Sequence, residues 1–193
     1  MSPLPRYLSS AEVDRVLATC DSSTTPGVRN RAILLLLARL GLRASDVASL
    51  RFEDIDWRHA TFAVSGKSRR AARLPLPQDV GDAILGYLAR RPLQGTTGRV
   101  FLRITPPWRP IAPGTVSSVA GRAIRIAGVV APVRGGHVLR HSAASELLRH
   151  GASLDQVRLI LRQRDPETTR LYAKVDLGLL RQVAQPWPEV TPC

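Results

Sequence analysis

The sequence predicts a mainly α-helical (α+β) domain that carries one small antiparallel β-sheet. Two capping boxes of the form Ser-x-x-Glu/Gln, at Ser9 and Ser153, each stand directly before an amphipathic helical pattern. Between them, residues 29–40 are apolar on all sides at their centre, which is typical of a buried helix. The pattern changes to short strands only over residues 56–76. The length of 193 residues and the hydrophobic fraction of 44% fit one folded domain.

Three helices precede the predicted sheet. The first begins at the first capping box and ends near Cys20. The second ends at Gly41, because glycine commonly stops helices by adopting the left-handed conformation. Ser45 or Asp46 is expected to cap a third helix that reaches Leu50.

The sheet is expected to contain three short strands. Residues 56–57, 61–65 and 73–76 have strand-like patterns. Residues 66–70 form a basic turn that begins with glycine and joins the last two strands. This arrangement is typical of an antiparallel hairpin.

Helical patterns return after the sheet. The expected helices lie at residues 77–88, 113–127, 137–150, 153–161, 167–172 and 177–183. We place one folded domain at residues 1–184 and a proline-rich tail at residues 185–193.

The charge of the chain favours an anionic partner. The sequence has 28 Lys and Arg residues against 15 Asp and Glu residues, a formal net charge of +13 at pH 7. Nucleic acid is the first candidate and an anionic membrane the second. An arginine-rich composition without a binding role is the alternative interpretation. All but two of the 28 cations are arginine, and the exceptions are Lys67 and Lys174.

The sequence also indicates the compartment of the protein. The N-terminus lacks the apolar core of a signal peptide, and the longest apolar run is too short to span a bilayer. Cys20 and Cys193 form neither a disulfide framework nor a zinc-ligand pattern. We therefore expect a soluble, cytoplasmic protein.

Three polar side chains share one face of the helix predicted after Gly136. His137, Arg140 and His141 occur at positions i, i+3 and i+4. Alone, this pattern is equally typical of a solvent-exposed face with incidental histidines. Lys67 stands out in an arginine-rich chain. A lysine can shift its pKa and act as an acid near neutral pH, whereas an arginine cannot give up its proton. A solvated turn lysine is the alternative interpretation.

Adding Arg43 and Tyr172 completes a set suited to phosphoryl transfer. Two arginines can clamp the non-bridging oxygens of one phosphate and stabilise the charge that builds on phosphorus. A tyrosine hydroxyl can attack once a base or cations help it to ionise. A lysine or histidine can protonate the leaving oxygen. This chemistry proceeds through a phosphotyrosine and requires no metal ion or cofactor.

Four segments together resemble the catalytic domain of the tyrosine recombinases, the phage-integrase family. LGLRASD at residues 40–46 resembles the family's first-arginine box. GKS at residues 66–68, followed by RLPL at residues 73–76, resembles its lysine hairpin. HVLRH at residues 137–141 matches the H-x-L-R-H box, and TTRLY at residues 168–172 resembles the nucleophile box. The resemblance covers nearly the whole chain and implies a helical catalytic fold with a three-stranded antiparallel sheet.

The resemblance implies a catalytic role for five residues. Arg43 and Arg140 would bind the scissile phosphate, and His137 would act as acid or base beside it. Lys67 would protonate the 5′-hydroxyl leaving group. Tyr172 would attack phosphorus and form a 3′-phosphotyrosyl link.

Further residues would support the site or contact DNA. Asp46 would steady His137 or Arg43, and His141 would support the phosphate-binding helix. The arginines expected to contact DNA are Arg69, Arg70, Arg73, Arg162 and Arg164.

The other two tyrosines are not expected to be nucleophiles. Tyr87 lies at apolar helical spacing with Ile84 and Leu88, which indicates a core position. Tyr7 precedes the first helix and has no basic neighbour in the sequence other than Arg6.

The chain departs from the family pattern in the turn before the nucleophile. The family usually has Leu-Gly-His or a tryptophan variant there, whereas this chain has Leu161-Arg162-Gln163. Gln163 is a further candidate catalytic residue, because its amide can donate a hydrogen bond to a phosphate oxygen, although it cannot carry a proton. We therefore expect reduced rather than abolished catalysis.

The resemblance also implies double-stranded DNA as the partner. Family members usually carry an N-terminal core-binding domain, which we expect to be absent from this chain. They act on DNA as tetramers that exchange a C-terminal helix. The helix from Leu177 to Val183 is equally suited to that exchange and to packing on its own domain, and we expect a monomer when the protein is free.

Three functions remain open from the sequence. The first is a site-specific recombinase or integrase. The second is a non-catalytic DNA-binding module that modulates a full-length recombinase. The third is a nicking–closing enzyme similar to type IB topoisomerases.

Overall fold

The structure, a computed structural model, describes residues 7–65, 71–92, 98–131 and 135–162. Within these ranges it contains helices and one antiparallel sheet, which confirms the predicted fold class. The helices are α1 (Ser10–Ala18), α2 (Thr25–Leu40), α3 (Ala44–Ser49), α4 (Gln78–Leu88), α5 (Pro113–Ile126), α6 (Gly136–Arg149) and α7 (Leu154–Leu161). The strands are β1 (Ile55–Asp56), β2 (Thr61–Ser65) and β3 (Ala71–Pro75). Across the described residues, no helix combines the length and apolar character needed to cross a membrane.

Both predicted capping boxes form. The Ser9 hydroxyl accepts the backbone N–H of Glu12, whose carboxylate accepts the backbone N–H of Ser9 at 2.8 Å. Ser153 and Gln156 exchange the same pair of bonds at the start of α7. These bonds satisfy donors that a first helical turn leaves unpaired, so α1 and α7 begin where the sequence predicts.

Helix α2 lies at the centre of the core. It begins at Thr25, four residues before the predicted start, because Thr24 caps its first turn and Pro26 favours helical geometry there. Every residue over 32–38 is buried, as predicted for a helix that is apolar on all sides. Helices α4, α5 and α6 all pack against α2.

Helix α3 starts earlier than predicted. Arg43 is its N-cap residue, so the prediction that Ser45 or Asp46 caps this helix is wrong. Asp46 lies in the first turn, and its Oδ2 accepts the backbone N–H of Arg43 at 3.0 Å. A carboxylate inside the first turn can satisfy the free donor of the N-cap residue, so no side chain at the cap itself is needed.

The sheet has the strand order β1-β2-β3 with antiparallel pairing. Ile55 pairs with Phe62, and Phe62 pairs with Leu74. All three side chains are buried, so this face of the sheet packs on the core. Residues 66–70, the predicted hairpin turn, lie outside the described residues.

Gly41 ends α2 and lies against helices α6 and α7, which follow later in the chain. Its φ of 57° is left-handed, as the glycine predicts. A Cβ at this position would lie 2.4 Å from Cδ2 of Leu161 and 3.4 Å from Cβ of Ala143. Helices α6 and α7 therefore approach this turn too closely for a side chain.

Gly41→Ala is expected to destabilise the protein by about 2–3 kcal/mol. A left-handed non-glycine residue costs roughly 1–2 kcal/mol, and crowding against the buried Leu161 adds about 1 kcal/mol. Gly128→Ala is the matched control, because Gly128 has a φ of 64° and an added Cβ meets nothing within 4 Å. Chemical denaturation measures both losses. Equal losses in the two variants would contradict the packing of Leu161 on Gly41.

Candidate active site

Arg43, His137 and Arg140 line one cavity of about 290 Å³. The cavity lies where the start of α3, the first turn of α6 and the start of α5 meet, and α5 contributes Pro113 and Ser117. Two guanidinium groups and an imidazole on the same walls suit an anionic ligand such as a phosphate. Within the part of the chain that the structure describes, no three His, Cys, Asp or Glu side chains cluster as a metal site would require.

The start of α6 brings His137 and Arg140 to this cavity. The two residues are three positions apart, so they lie on one face of the helix. Gly135 precedes the helix with a φ of 83°. Glycine suits this left-handed backbone conformation. A Cβ on Gly135 would make ordinary contact, at 3.4 Å, with the carbonyl oxygen of Ser117, so the start of α6 lies directly against α5.

Arg140 is held between the ends of two helices. Only 7% of the residue is exposed. Its Nη1 donates to the carbonyl oxygen of Gly41, and its Nη2 donates to that of Leu161. Carbonyls at helix C-termini lack partners within the helix and carry partial negative charge. They therefore orient a buried guanidinium group without neutralising it.

Arg43 contacts the same end of α7. Its Nη2 donates to the carbonyl oxygen of Arg162 at 2.9 Å. Asp46, which is buried, accepts both the backbone N–H of Arg43 and a bond from Nη2 of Arg162. The expected partner of Asp46 is His137 or Arg43. In the structure its carboxylate contacts the backbone N–H of Arg43.

The environment of Arg162 differs from the exposed surface that a DNA-contacting residue needs. Its side chain is 11% exposed and forms an ion pair with Asp46. A guanidinium group in this position has little surface for a DNA phosphate, so the fold favours an internal role for Arg162 over the expected DNA contact. Arg73, in contrast, has a side chain that is 69% exposed and lies 3.4 Å from Oδ2 of Asp56. A DNA contact by Arg73 stays a prediction.

His141 is partly buried beside the two other polar residues of α6. Burial lowers the pKa of His141, and the neighbouring His137 and Arg140 lower it further. A lowered pKa favours the neutral imidazole, in which one ring nitrogen can donate and the other can accept a hydrogen bond.

Acidification is expected to destabilise the protein through His141. The pKa of His141 in the fold lies below its unfolded value of about 6.5, so the unfolded chain binds the proton more readily. Stability should therefore fall as the pH drops below about 6.5. His141→Gln should reduce the loss of Tm between about pH 7.5 and pH 5.5.

His150→Gln is the matched control for this titration. The side chain of His150 is 74% exposed and lies 3.7 Å from a carboxylate oxygen of Glu146. Replacing it should leave the low-pH loss of Tm in place. If His141→Gln loses as much Tm as the wild type on acidification, His141 is not the source.

The two tyrosines that the structure describes occupy packed positions. Tyr87 is 2% exposed, stacks on Phe101, and accepts the backbone N–H of Leu102 at 3.2 Å. This confirms its predicted core position. The ring of Tyr7 lies 4.9 Å from the guanidinium carbon of Arg149, a basic neighbour that is remote in the sequence.

Several predicted site residues lie outside the described ranges. They are Lys67, Arg69, Arg70, Gln163, Arg164 and Tyr172. The helix predicted from Leu177 to Val183 also lies outside them. Sequence reasoning missed Pro113 and Ser117 in the wall of the cavity. Their spacing of one helical turn puts them on one face, but nothing in their composition separates them from ordinary surface residues.

A larger cavity of about 880 Å³ lies next to the candidate site. Gly135 lines this cavity, and the adjoining residue Gly136 lines the smaller one. Helix α5 contributes Arg122 and Arg125 to the wall of the larger cavity. The basic surface of the site therefore extends along α5.

Known proteins match this chain over most of its length. The model of the phage integrase family matches residues 6–177. The protein y4rA of Sinorhizobium fredii, an integrase/recombinase by name, is 44% identical over 189 residues, which cover 97% of this chain and 46% of y4rA. The protein y4gC of the same organism, also named an integrase/recombinase, is 35% identical over 188 residues, which cover 96% of this chain and 97% of y4gC.

A solved structure agrees with these relatives. The crystal structure of XerA recombinase matches with a TM-score of 0.78 and 26% identity, covering 94% of this chain and 63% of that protein. The match confirms the predicted helical recombinase fold. The chain spans about half the length of y4rA. By its family match, its relatives and its fold, the chain belongs to the phage integrase family.

Proposed function

We propose that this chain cleaves and rejoins double-stranded DNA through a 3′-phosphotyrosyl intermediate, as the catalytic part of a site-specific recombinase or integrase. The observation that carries the proposal is the convergence of Arg43, His137 and Arg140 on one cavity. These residues come from segments that are distant in the sequence, and they match two separate boxes of the family pattern. Membership of the phage integrase family supports the same chemistry.

The two arginines are suited to stabilising a phosphoryl transition state. Carbonyl oxygens hold both guanidinium groups in place beside the cavity. A donor that is already oriented costs little reorganisation when charge develops on the phosphate oxygens. Arg43 and Arg140 therefore serve best as the binding groups of the non-bridging oxygens.

The cleavage step forms one bond to phosphorus and breaks another. The phenolic oxygen of Tyr172 attacks phosphorus while the bond to the 5′ oxygen breaks. His137 is the candidate base for the phenolic proton, and Lys67 is the candidate acid for the 5′ oxygen. Attack of a 5′-hydroxyl on the phosphotyrosine reverses each step and rejoins the strand.

DNA binding would depend on the positive charge of the chain. The net charge of +13 and the arginines Arg122 and Arg125 beside the site favour a polyanion. Counterion release makes such binding weaken steeply as salt rises. On this proposal the protein acts in the cytoplasm. It assembles as a tetramer on DNA through the helix predicted from Leu177 to Val183 and is a monomer when free.

A covalent trapping experiment tests the proposal. The protein is incubated with nicked duplexes of randomised sequence, from which the cleaved fragment diffuses away, and denaturing gels then detect a protein–DNA adduct. Peptide mapping of the adduct should identify Tyr172 as the linked residue. DNA binding without an adduct at every salt and protein concentration would support a non-catalytic DNA-binding module. Supercoil relaxation without sequence preference would support a nicking–closing enzyme.

A further inference from the structure

Arg162 ends α7 in a conformation that usually belongs to glycine. Its φ of 51° is left-handed, and the family pattern has glycine at this position. Glycine adopts this conformation freely, whereas any side chain meets steric resistance there. Arg162 therefore adopts this conformation at a steric cost that glycine would not incur.

The side chain and the carbonyl of Arg162 both contact the first-arginine box. Nη2 of Arg162 donates to Oδ2 of the buried Asp46. The Arg162 carbonyl oxygen accepts a bond from Nη2 of Arg43 at 2.9 Å, and the same Asp46 oxygen accepts the Arg43 backbone N–H. We name this closed set of three bonds among Arg43, Asp46 and Arg162 the α7 clasp.

The α7 clasp links the phosphate site to the segment that carries the nucleophile. The carbonyl of Leu161, next to Arg162, holds the guanidinium group of Arg140. Both arginines of the cavity are thus oriented by the last two carbonyls before Gln163. Tyr172 follows Gln163 in the same stretch of sequence.

We propose that Arg162 is a positioning residue for DNA strand transfer, because the α7 clasp orients Arg43 at the scissile phosphate and fixes the point at which the Tyr172 segment leaves α7. The inference rests on the proposed function. It explains why this chain has an arginine at the position where the family pattern has glycine.

Two other roles for Arg162 agree less well with the structure. A DNA phosphate contact needs an accessible guanidinium group, and this side chain is 11% exposed. A purely stabilising role is weakly supported, since buried ion pairs often add little net stability and the left-handed backbone opposes the side chain. A buried ion pair can instead fix one geometry, and this is the role that we assign to the pair of Arg162 and Asp46.

Arg162→Gly separates positioning from DNA contact. Glycine suits the left-handed turn and removes the side chain of the α7 clasp. The rate of adduct formation at saturating DNA should fall by about 10-fold or more, because misplaced reacting groups lose rate steeply. The DNA affinity and its salt dependence should stay unchanged.

Two further variants complete the test. Arg162→Lys keeps the charge but not the planar fork, so its rate should lie between those of the wild type and Arg162→Gly. If Arg162→Gly fails to fold, Arg162→Lys serves as the test variant. Arg15→Gln removes one charge from the exposed face of α1, where the side chain is 59% exposed, and should keep the wild-type rate.

The outcomes separate this inference from the proposed function. A wild type that binds DNA without an adduct would overturn both. A wild type that forms the adduct, with folded Arg162→Gly or Arg162→Lys equally fast, would overturn only the positioning role. Weaker DNA binding in Arg162→Gly, with a salt slope lowered by about one, would identify a phosphate contact instead.

Discussion

Tyr172→Phe is expected to abolish the covalent protein–DNA adduct while DNA affinity stays at the wild-type level. The substitution keeps the aromatic ring and removes the only atom that can form the bond to phosphorus. Loss of a catalytic nucleophile lowers rates by about 10⁴-fold or more, which is below detection in a trapping experiment. Adduct yield on denaturing gels and DNA affinity at fixed salt are the two measurements.

The chain offers two matched controls, because its other tyrosines can receive the same substitution. Tyr7→Phe keeps the ring that lies under Arg149. Tyr87→Phe removes the hydroxyl that accepts the N–H of Leu102 and should cost about 1 kcal/mol of stability. Both variants should retain the adduct. An adduct that persists in Tyr172→Phe, or disappears in Tyr7→Phe, would remove Tyr172 from its proposed role.

Features that depend on neighbouring residues were predictable from the sequence. The capping boxes at Ser9 and Ser153 place the starts of α1 and α7 because both partners of each box lie within one turn. Gly41 ends α2 for a similar local reason. The cap of α3 was predicted wrongly, since Asp46 acts from inside the first turn and not from the cap.

Features that join distant segments were not predictable from local patterns. Arg162 and Asp46 are 116 residues apart, so no spacing rule connects them. Surface exposure is the ordinary expectation for an arginine in a basic turn, and only the fold shows the buried carboxylate that pairs with it. The family pattern indicated that Arg43 and Arg140 share a site. It did not indicate that the carbonyls of α7 hold both guanidinium groups.

The double attachment of Arg140 predicts that one substitution will lower both stability and activity. Arg140→Ala leaves the carbonyl oxygens of Gly41 and Leu161 without their donor. Each buried acceptor left unpaired costs about 1–3 kcal/mol, so the total loss for the two carbonyls should be about 2–6 kcal/mol. Loss of one oriented donor to the phosphate should also lower the adduct rate by about 10²–10³-fold.

Arg140→Lys separates these two effects. Lysine restores the positive charge, but one ammonium group cannot match two carbonyls and a phosphate with the geometry of a planar guanidinium. We expect it to recover part of the stability while the adduct rate stays at least about 10-fold below the wild type. Arg149→Ala, at the end of α6, is the control, since its surface ion pair with Glu146 and its contact with the ring of Tyr7 are each worth at most about 1 kcal/mol. If Arg140→Lys reaches the wild-type rate, the site requires only positive charge at residue 140, and the orienting carbonyls of α2 and α7 have no part in catalysis.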